Sequence, residues 1–419
     1  MIMSNPGSGL DAFPIPLEWL SDVDRAFASE VRAYVDKEIV VKRQSESLDG
    51  GLLTKAWRGI NVDLGLQSAI WPDRVGGAGE SSPAAALLLT AVAEQVGRGD
   101  VGLGVLLASV QAMAASVVVG ASDGDPRVAA WAPEFVAEQP LRVALVMPSM
   151  GSGDGPVDEE GRFVQVVARA DGEHRVLEAD HARPLCGGAD ADWFGVVSAE
   201  EGELAMWWVP ADAPGVRRHE ALKQTGLWSC PNAEVTLAGV RVAPESRWLA
   251  GTESVRSAGT WFQLLASASC VGALFATFEI LSEWGESRVI KGRGQVFKNN
   301  PLAASVMAEL AARVHRDRIL VYNLAHMLAH PQDVGPAGAD TVSVAASHLA
   351  QHVALSAEEG INRTMELMGS AGYAREWHLE RYWRDVKGVQ SCLGAQVLSS
   401  MRVARHHYGS TCRQRGAFG

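Results

Sequence analysis

The chain has 419 residues, 47% of them hydrophobic and 21% charged, which is enough apolar material for a substantial core divided over two or three domains. Its 37 Lys and Arg face 49 Asp and Glu, and the formal net charge of −12 argues against a surface that binds nucleic acid or an anionic membrane. The 5 cysteines form no CxxC pair, so neither a metal site nor a disulfide framework is expected. With no signal-peptide pattern at its start, the sequence predicts a cytoplasmic protein.

Residues 1–15 are a tail rich in Gly, Pro and Ser, and residues 16–140 predict an α-helical domain. From Leu20 to Val41 apolar residues recur every three or four positions, which is the spacing of an amphipathic helix. The runs 81–98 and 101–120 are more apolar and indicate two buried helices. This part of the chain is therefore expected to be all-helical.

Around Leu141 the pattern changes to short β-type runs separated by Asp, Gly and Pro turns. The runs lie at residues 142–146, 163–167, 175–177, 193–197, 204–209 and 233–237. Their spacing of roughly ten residues is typical of antiparallel sheets. Residues 141–250 are therefore predicted to form an antiparallel β-domain.

After Gly251 the helical spacing returns, and residues 251–410 predict a bundle of four antiparallel helices. The apolar positions that define the first three helices lie in residues 259–284, 306–324 and 342–368. A glycine turn at Gly369–Tyr373 separates the third helix from the last. Bundle faces this apolar usually bind a second copy, so a homodimer or homotetramer is expected.

The strongest motif lies after the third predicted helix of this bundle. It resembles the C-terminal signature of the acyl-CoA dehydrogenase family, roughly Q-x-x-G-G-x-G-Y-x-x-E-x-P-x-x-R-x-x-R-D-x-K. The residues that match it are Gly369, Gly372, Tyr373, Glu376, Arg381, Arg384, Asp385 and Lys387. N-terminal matches to the same family are Gly65-Leu66, Pro72 with Gly76, Gly77 and Gly79, and Glu94 with Gly97-Arg98. The resemblance implies an α+β multidomain chain in which an α-helical domain, an antiparallel β-domain and a four-helix bundle follow one another.

The resemblance also implies FAD as a cofactor. Ser152 falls on the Gly-Ser-Asp turn that contacts the flavin in the family. Arg288 falls on the arginine that meets the flavin pyrophosphate, and Gly369 and Gly372 fall on the turn that helps to hold the FAD of a neighbouring subunit. These four residues are the predicted cofactor-binding residues if FAD is bound.

Several polar positions depart from the family pattern. The Tyr-Glu-Gly-Thr step, whose Glu removes the substrate α-proton in the family, reads Cys392-Leu393-Gly394-Ala395, and a leucine cannot accept a proton. The other place at which some members carry the base is Gln263. The motif whose hydroxyl bonds the flavin reads Arg183-Pro184-Leu185. These departures favour a chain that does not carry out ordinary α,β-dehydrogenation, and they leave FAD possible rather than required.

Four residues are the candidates for a different chemistry. His181 and Arg183 are able to move a proton and to polarise a carbonyl, and Gln263 and Cys392 complete the candidate catalytic set. Solvated loop residues are the alternative interpretation of His181 and Arg183, and a small buried apolar residue is the alternative for Cys392.

The leading hypothesis is a repurposed biosynthetic enzyme that acts on an acyl thioester or a related carbonyl compound. Its acyl group would be carried by CoA or by a carrier protein, and the reaction would be a cyclisation, an isomerisation or a dehydration. Two alternatives stay open. One is an FAD-dependent acyl-CoA dehydrogenase or flavin monooxygenase with an unusual site, and the other is a non-catalytic partner subunit of a hetero-oligomeric dehydrogenase.

Overall fold

The computed structural model describes residues 12–42, 50–79, 84–119, 121–122, 124–149, 156–158, 161–200, 202–290, 294–335, 338–393 and 395–408. Within these residues the N-terminal part is helical. Its helices are α1 (Asp22–Val35), α2 (Gly50–Arg58), α3 (Ala85–Gly99), α4 (Val101–Val118) and α5 (Pro126–Val136). Helix α1 begins at Ser21, whose side-chain oxygen accepts the amide N–H of Asp24 and so satisfies a free donor of the first turn.

The sheet follows the N-terminal helices. Its strands are β1 (Val143–Val146), β2 (Val166–Asp171), β3 (His174–Ala182), β4 (Trp193–Glu200), β5 (Glu203–Pro210), β6 (Val216–Arg218), β7 (Val235–Val242) and β8 (Arg247–Ala250). The strand order is β6-β7-β3-β2-β4-β5-β8, and β1 also pairs with β4. The middle sheet predicted from the sequence is confirmed.

One detail of that prediction needs correction, because the sheet is not purely antiparallel. Strands β1 and β2 both pair with β4 in parallel, at Val143–Val146 with Trp193–Val196 and at Val166–Val167 with Ser198–Ala199. Parallel neighbours need a long connection, and the chain between β1 and β4 is long enough to supply it. Strands β6 and β8 are the two ends of the sheet and were not predicted.

The C-terminal part is a second helical domain, as predicted. Its helices are α6 (Thr252–Ser287), α7 (Pro301–Ala329), α8 (Gly338–Met368), α9 (Leu379–Cys392) and α10 (Ala395–Tyr408). The described residues therefore divide the last predicted helix into two. Helices α4 and α6 are long and apolar enough to cross a membrane by length and composition, but 94% and 83% of their apolar windows are buried inside the protein.

The two helical domains meet where α3 crosses α6. A Cβ on Gly97 of α3 would lie 2.3 Å from the carbonyl oxygen of Ser269, and a Cβ on Gly272 of α6 would lie 2.1 Å from the carbonyl oxygen of Glu94. Any side chain at either glycine would force the helices apart, so their backbones touch only because both positions are glycine. Nearby, Glu94 also binds Arg318 of α7 in a buried ion pair. The N-terminal domain thus shares one core with the C-terminal helices.

Candidate functional site

A cleft of about 1560 Å³ lies between the sheet and helix α9. One wall is formed by residues of β3 and β7, and the other by α9 together with the loop at residues 222–232. Among the predicted catalytic residues, His181, Arg183 and Cys392 line this cleft. The fold therefore brings together side chains that are distant in the sequence, since His181 on β3 and Cys392 at the end of α9 are more than 200 positions apart.

One carboxylate holds His181 and Arg183 together on the sheet wall. Glu234, one residue before β7, accepts a hydrogen bond at Oε1 from Arg183 Nη2 at 2.5 Å, and its Oε2 lies 2.7 Å from His181 Nδ1. The hydrogen bonds from Arg183 and His181 lower the pKa of Glu234 below its usual value. We call His181, Arg183 and Glu234 the cleft cluster. Solvent reaches 53% of the His181 side chain and 60% of the Arg183 side chain, but only 23% of the Glu234 side chain between them.

The backbone at His181 is unusual. Its φ of 52° lies in the left-handed region, which residues with a side chain seldom adopt. The cause is an irregularity in the pairing of β3 with β7, where the register shifts between Ala179 and Ala182. The His181 ring stacks on His219 at a centroid distance of 4.2 Å. Backbone conformations of this kind are often found at functional sites, and His181 lines the cleft.

The Nε2 atom of His181 is the ring nitrogen that faces away from Glu234. Its nearest carboxylate oxygen among the described contacts is Oδ1 of Asp180, at 3.8 Å. A carboxylate on Nδ1 favours the tautomer whose proton sits there, which leaves Nε2 as a proton acceptor. The arrangement is that of a base oriented by a carboxylate, with a guanidinium beside it.

Cys392 lines the cleft at the end of α9, where its thiol donates to the carbonyl oxygen of Gly388 at 3.5 Å. Burial raises the pKa of the Cys392 thiol well above its usual value, so the thiolate needed for attack does not form at neutral pH. Among the described contacts, Cys392 is therefore a small apolar part of the wall. Its predicted catalytic role receives no support from its surroundings.

Gln263 lies elsewhere, on helix α6. It lines a separate pocket of about 40 Å³ with Thr260 and Asp158, and it is not part of the cleft wall. The structure therefore does not bring Gln263 together with the other three candidates. Leu393, at the family's principal base position, is buried and only 5% exposed. Neither of these two places carries an ionisable side chain.

Three of the four predicted cofactor-binding residues, Arg288, Gly369 and Gly372, lie within the described residues, and none of these three lines the cleft. Ser152 lies outside the described residues. Arg288 is exposed just beyond the end of α6, and it does not line the cleft. Gly369 has a φ of 61° and ends α8, while a Cβ on Gly372 would lie 2.4 Å from the carbonyl oxygen of Met365. Within one chain, these two glycines close a tight turn rather than contact the cleft.

The lining cations of the cleft are already paired. Arg183 contacts Glu234, and on the opposite wall Arg384 contacts Glu380 at 2.6 Å. Lys387, the other lining Lys or Arg among the described residues, lies 3.2 Å from Glu358. The carboxylates of Glu178 and Asp180 line the cleft as well. The positive and negative side chains that line the described wall are therefore close to balanced.

A second polar cluster lies behind the loop at residues 222–232, where all three domains meet. Arg381 of α9 contacts Asp100, which precedes α4, and lies 3.6 Å from Asp385. Ser229 of the loop donates a hydrogen bond to Asp100. We call Asp100, Ser229, Arg381 and Asp385 the junction cluster. Burial, followed by the nearby Asp100 charge, raises the pKa of Asp385 to about 6.

The junction cluster fixes the shape of the cleft wall. The amide N–H of Leu227, a residue with a φ of 58°, donates to Asp385 Oδ1 at 2.6 Å. Beside it, a Cβ on Gly226 would lie 2.3 Å from the carbonyl oxygen of Arg384. Signature residues of α9 thus hold the loop in place from the buried side.

The comparisons with known proteins agree on one family. The family model for the acyl-CoA dehydrogenase N-terminal domain matches residues 21–125, and the model for the C-terminal domain matches residues 250–408. Cyclohexane-1-carbonyl-CoA dehydrogenase of Geobacter metallireducens is 25% identical over 371 residues, which is 85% of this chain and 89% of that protein.

Several solved structures have the same fold as this chain and match it over most of their length. Butyryl-CoA dehydrogenase from Megasphaera elsdenii gives a TM-score of 0.76 at 17% identity and covers 93% of this chain and 99% of its own. A glutaryl-CoA dehydrogenase from Mycobacterium smegmatis in complex with FADH2 gives 0.74 at 17% identity, with 95% and 97% covered. These likenesses show the fold.

Proposed function

This chain belongs to the acyl-CoA dehydrogenase family, and from that premise we propose that it transfers a proton on an acyl thioester without a carboxylate base of the usual kind. The proton acceptor is His181, and the thioester is carried by CoA or by a carrier protein. Proton transfer at the carbon next to the carbonyl is a step that isomerisation, dehydration and cyclisation have in common. The dehydrogenase names of the relatives support an acyl thioester as the substrate class.

The observation that carries the proposal is the cleft cluster. Glu234 orients His181 through Nδ1, and Arg183 is held by the other oxygen of the same carboxylate. At the family's base position the buried Leu393 has no group that accepts a proton. Among the described groups of the cleft, the imidazole of His181 is therefore the one that a neighbouring carboxylate orients as a general base.

The proposed step needs no external reactant. The neutral His181 takes the proton from the carbon next to the thioester carbonyl at Nε2, and the electron pair of the broken C–H bond moves into the enolate oxygen. Arg183 retains N–H donors beyond the one that binds Glu234, and one of them stabilises that oxygen. The imidazolium returns the proton to the same or another carbon, or to a leaving hydroxide.

FAD-dependent oxidation of an acyl-CoA is the second candidate. The size of the cleft and the relative solved with FADH2 favour it. A flavin supplies a hydride acceptor, but its pyrophosphate also requires positive charge. Since each described lining cation already contacts a carboxylate, the described wall of one chain does not complete such a site.

Deuterium exchange tests the proposal. Purified protein is incubated in D₂O with acetyl-CoA, butyryl-CoA, cyclohexane-1-carbonyl-CoA and the matching acyl-pantetheines, and mass spectrometry follows deuterium at the carbon next to the thioester. We expect exchange by the wild type and a loss of about 10²-fold or more in His181→Ala, the range typical of a general base. His174→Ala, on the same strand but outside the cleft lining, is the matched control and should exchange at the wild-type rate.

An absorbance spectrum separates the two candidates. A flavin band in the purified protein, bleached anaerobically by an acyl-CoA, would support the oxidation and contradict the proposal. The proposal also fails if no thioester of the panel exchanges above the rate without protein, or if His181→Ala exchanges as fast as the wild type.

A further inference from the structure

The pairing of β3 with β2 ends before the segment that carries His181 and Arg183. Strand β3 pairs with β2 from Asp171 and His174 as far as Val167 and Glu178. Among the described residues, β3 pairs beyond Glu178 with β7 alone, and that pairing has the shifted register. A strand end with one regular neighbour fewer and a bulge on the other side is held in direction by fewer ladder hydrogen bonds.

At Arg183, the side chain of Gln165 makes the hydrogen bonds that a residue of β2 would make if the pairing continued. It directly precedes β2, and its side-chain amide makes two hydrogen bonds to the backbone of one residue. Oε1 accepts the N–H of Arg183 at 2.8 Å, and Nε2 donates to the carbonyl oxygen of Arg183 at 3.1 Å. This is the pattern by which one strand residue pairs with another, supplied here by a side chain.

Gln165 is itself fixed from the other side. Its Nε2 also donates to the carbonyl oxygen of Met147, the residue that follows β1, at 2.7 Å. The amide therefore ties Arg183 to the centre of the sheet, since β1 pairs with β4. Gln165 is half-buried and lines the cleft. A glutamine amide that uses both of its ends on backbone groups has a single orientation, which makes it a rigid support.

We propose that Gln165 is a positioning residue that sets the direction in which Arg183 and His181 enter the cleft. The proposal rests on the proposed function, because it assigns Gln165 to the same site. Gln165 acts through Arg183, whose guanidinium and the His181 ring share the carboxylate of Glu234. A shift of the Arg183 backbone therefore alters both hydrogen bonds to Glu234.

The test compares Gln165→Leu, which keeps much of the volume and removes both ends of the amide, with Gln390→Leu. Gln390 is also half-buried and also donates to a backbone carbonyl, that of Ala354 at 3.3 Å, but it lies outside the cleft lining. The first readout does not depend on catalysis. It is the ¹⁵N spectrum of the full chain labelled at histidine, in which the His181 signals are assigned by their absence in His181→Ala.

We expect the His181 ring signals of Gln165→Leu to move towards those of Glu234→Gln, and those of Gln390→Leu to stay at the wild-type position. For the thioester exchange we expect kcat to fall about 10- to 100-fold in Gln165→Leu while KM changes little, because misplacement of a catalytic group by about 1 Å reduces the rate by up to about 10²-fold. If the ¹⁵N signals of the His181 ring are the same in Gln165→Leu as in the wild type, Gln165 is not a positioning residue. Absence of exchange in the wild type would overturn the proposed function alone, since the spectrum still reports on Gln165.

Discussion

The cleft cluster and the junction cluster both pair an arginine with carboxylates. The first faces the open cleft, and the second lies on the buried side of the loop at residues 222–232. In each, an arginine contacts a carboxylate, but the side chain of Arg183 is 60% exposed and that of Arg381 is 9% exposed. Water screens the first pair, so its partners are able to exchange with a ligand at low cost. The second pair is buried, so the loss of one partner leaves a charge that solvent reaches poorly. The same pairing of an arginine with a carboxylate is therefore open to solvent in the cleft cluster and buried in the junction cluster, where it holds the loop at residues 222–232 in place.

The largest effect is expected from breaking the buried pair. Arg381→Ala leaves Asp100 and Asp385 without their cation, and loss of one partner of a buried ion pair typically lowers the free energy of unfolding by about 3–5 kcal/mol. The matched substitution Arg183→Ala should lower it by less than about 1 kcal/mol. Urea titration at pH 7 measures both. Equal losses in the two variants would contradict the distinction between the clusters.

Asp385 gives the junction cluster a pH dependence. Its pKa is about 6 in the folded protein and 3.8 in an unperturbed chain, so the folded state binds this proton more tightly. Its contribution to stability is complete below about pH 4 and is lost as the pH rises through about 6, with a total of about 3 kcal/mol. Asp385→Asn should remove this dependence of the free energy of unfolding on pH, while the asparagine side chain still accepts the Leu227 N–H. Urea titrations between pH 4 and 7 check the difference from wild type, and Asp333→Asn, at an exposed site, should retain this dependence.

Gly226→Ala tests the contact between the loop at residues 222–232 and helix α9 without changing any charge. Gly226→Ala places a Cβ 2.3 Å from the carbonyl oxygen of Arg384, and such overpacking typically costs about 1–3 kcal/mol. Gly285→Ala on α6 is the control, since its Cβ would meet Lys298 only at 3.7 Å and alanine favours the helix. Thermal unfolding followed by circular dichroism compares the two. If Gly226→Ala melts with the wild type, the loop is not pressed against α9 in solution.

The smallest effect on stability is expected from Glu234→Gln. Its bonds to His181 and Arg183 are half-exposed, so the free energy of unfolding should change by no more than about 1 kcal/mol. The pKa of Glu234 is lowered in the folded protein, which makes its stabilising contribution one that is lost as the pH falls through the acid range. A urea titration of the variant at pH 7 measures the change. A large loss of stability would show that the cleft cluster supports the fold as the junction cluster does.

Much of the fold could be predicted because its helices and principal strands leave local signals. The spacing of apolar residues from Leu20 to Val41 and the apolar run of α4 required no tertiary information. Strand β6 was missed because it is short and carries two arginines, Arg217 and Arg218, on an exposed edge. The parallel pairing of β1 with β4 was missed because register between distant strands is decided by packing.

The site was less accessible to prediction. Arg183 was identified from its place in a family motif and His181 from its position close to that motif. Glu234 was not identified, because the pairing of β3 with β7 is what brings it to them. Gln165 has no signal in the sequence, since its partner is the backbone of another residue. Gln263 was grouped with the others by family position, whereas the fold places it on α6, away from the cleft.

The crossing of α3 and α6 at Gly97 and Gly272 has a consequence for synthesis of the chain. Helices α3 and α4 leave the ribosome long before α6, whose last residue is Ser287. At the usual rates of translation, their apolar surfaces wait roughly 10 to 40 s for the helix that covers them. During that time the first domain has no complete core, and a chaperone that binds apolar helices would find its target there. A fragment that ends near residue 140 is therefore expected to be insoluble when expressed alone.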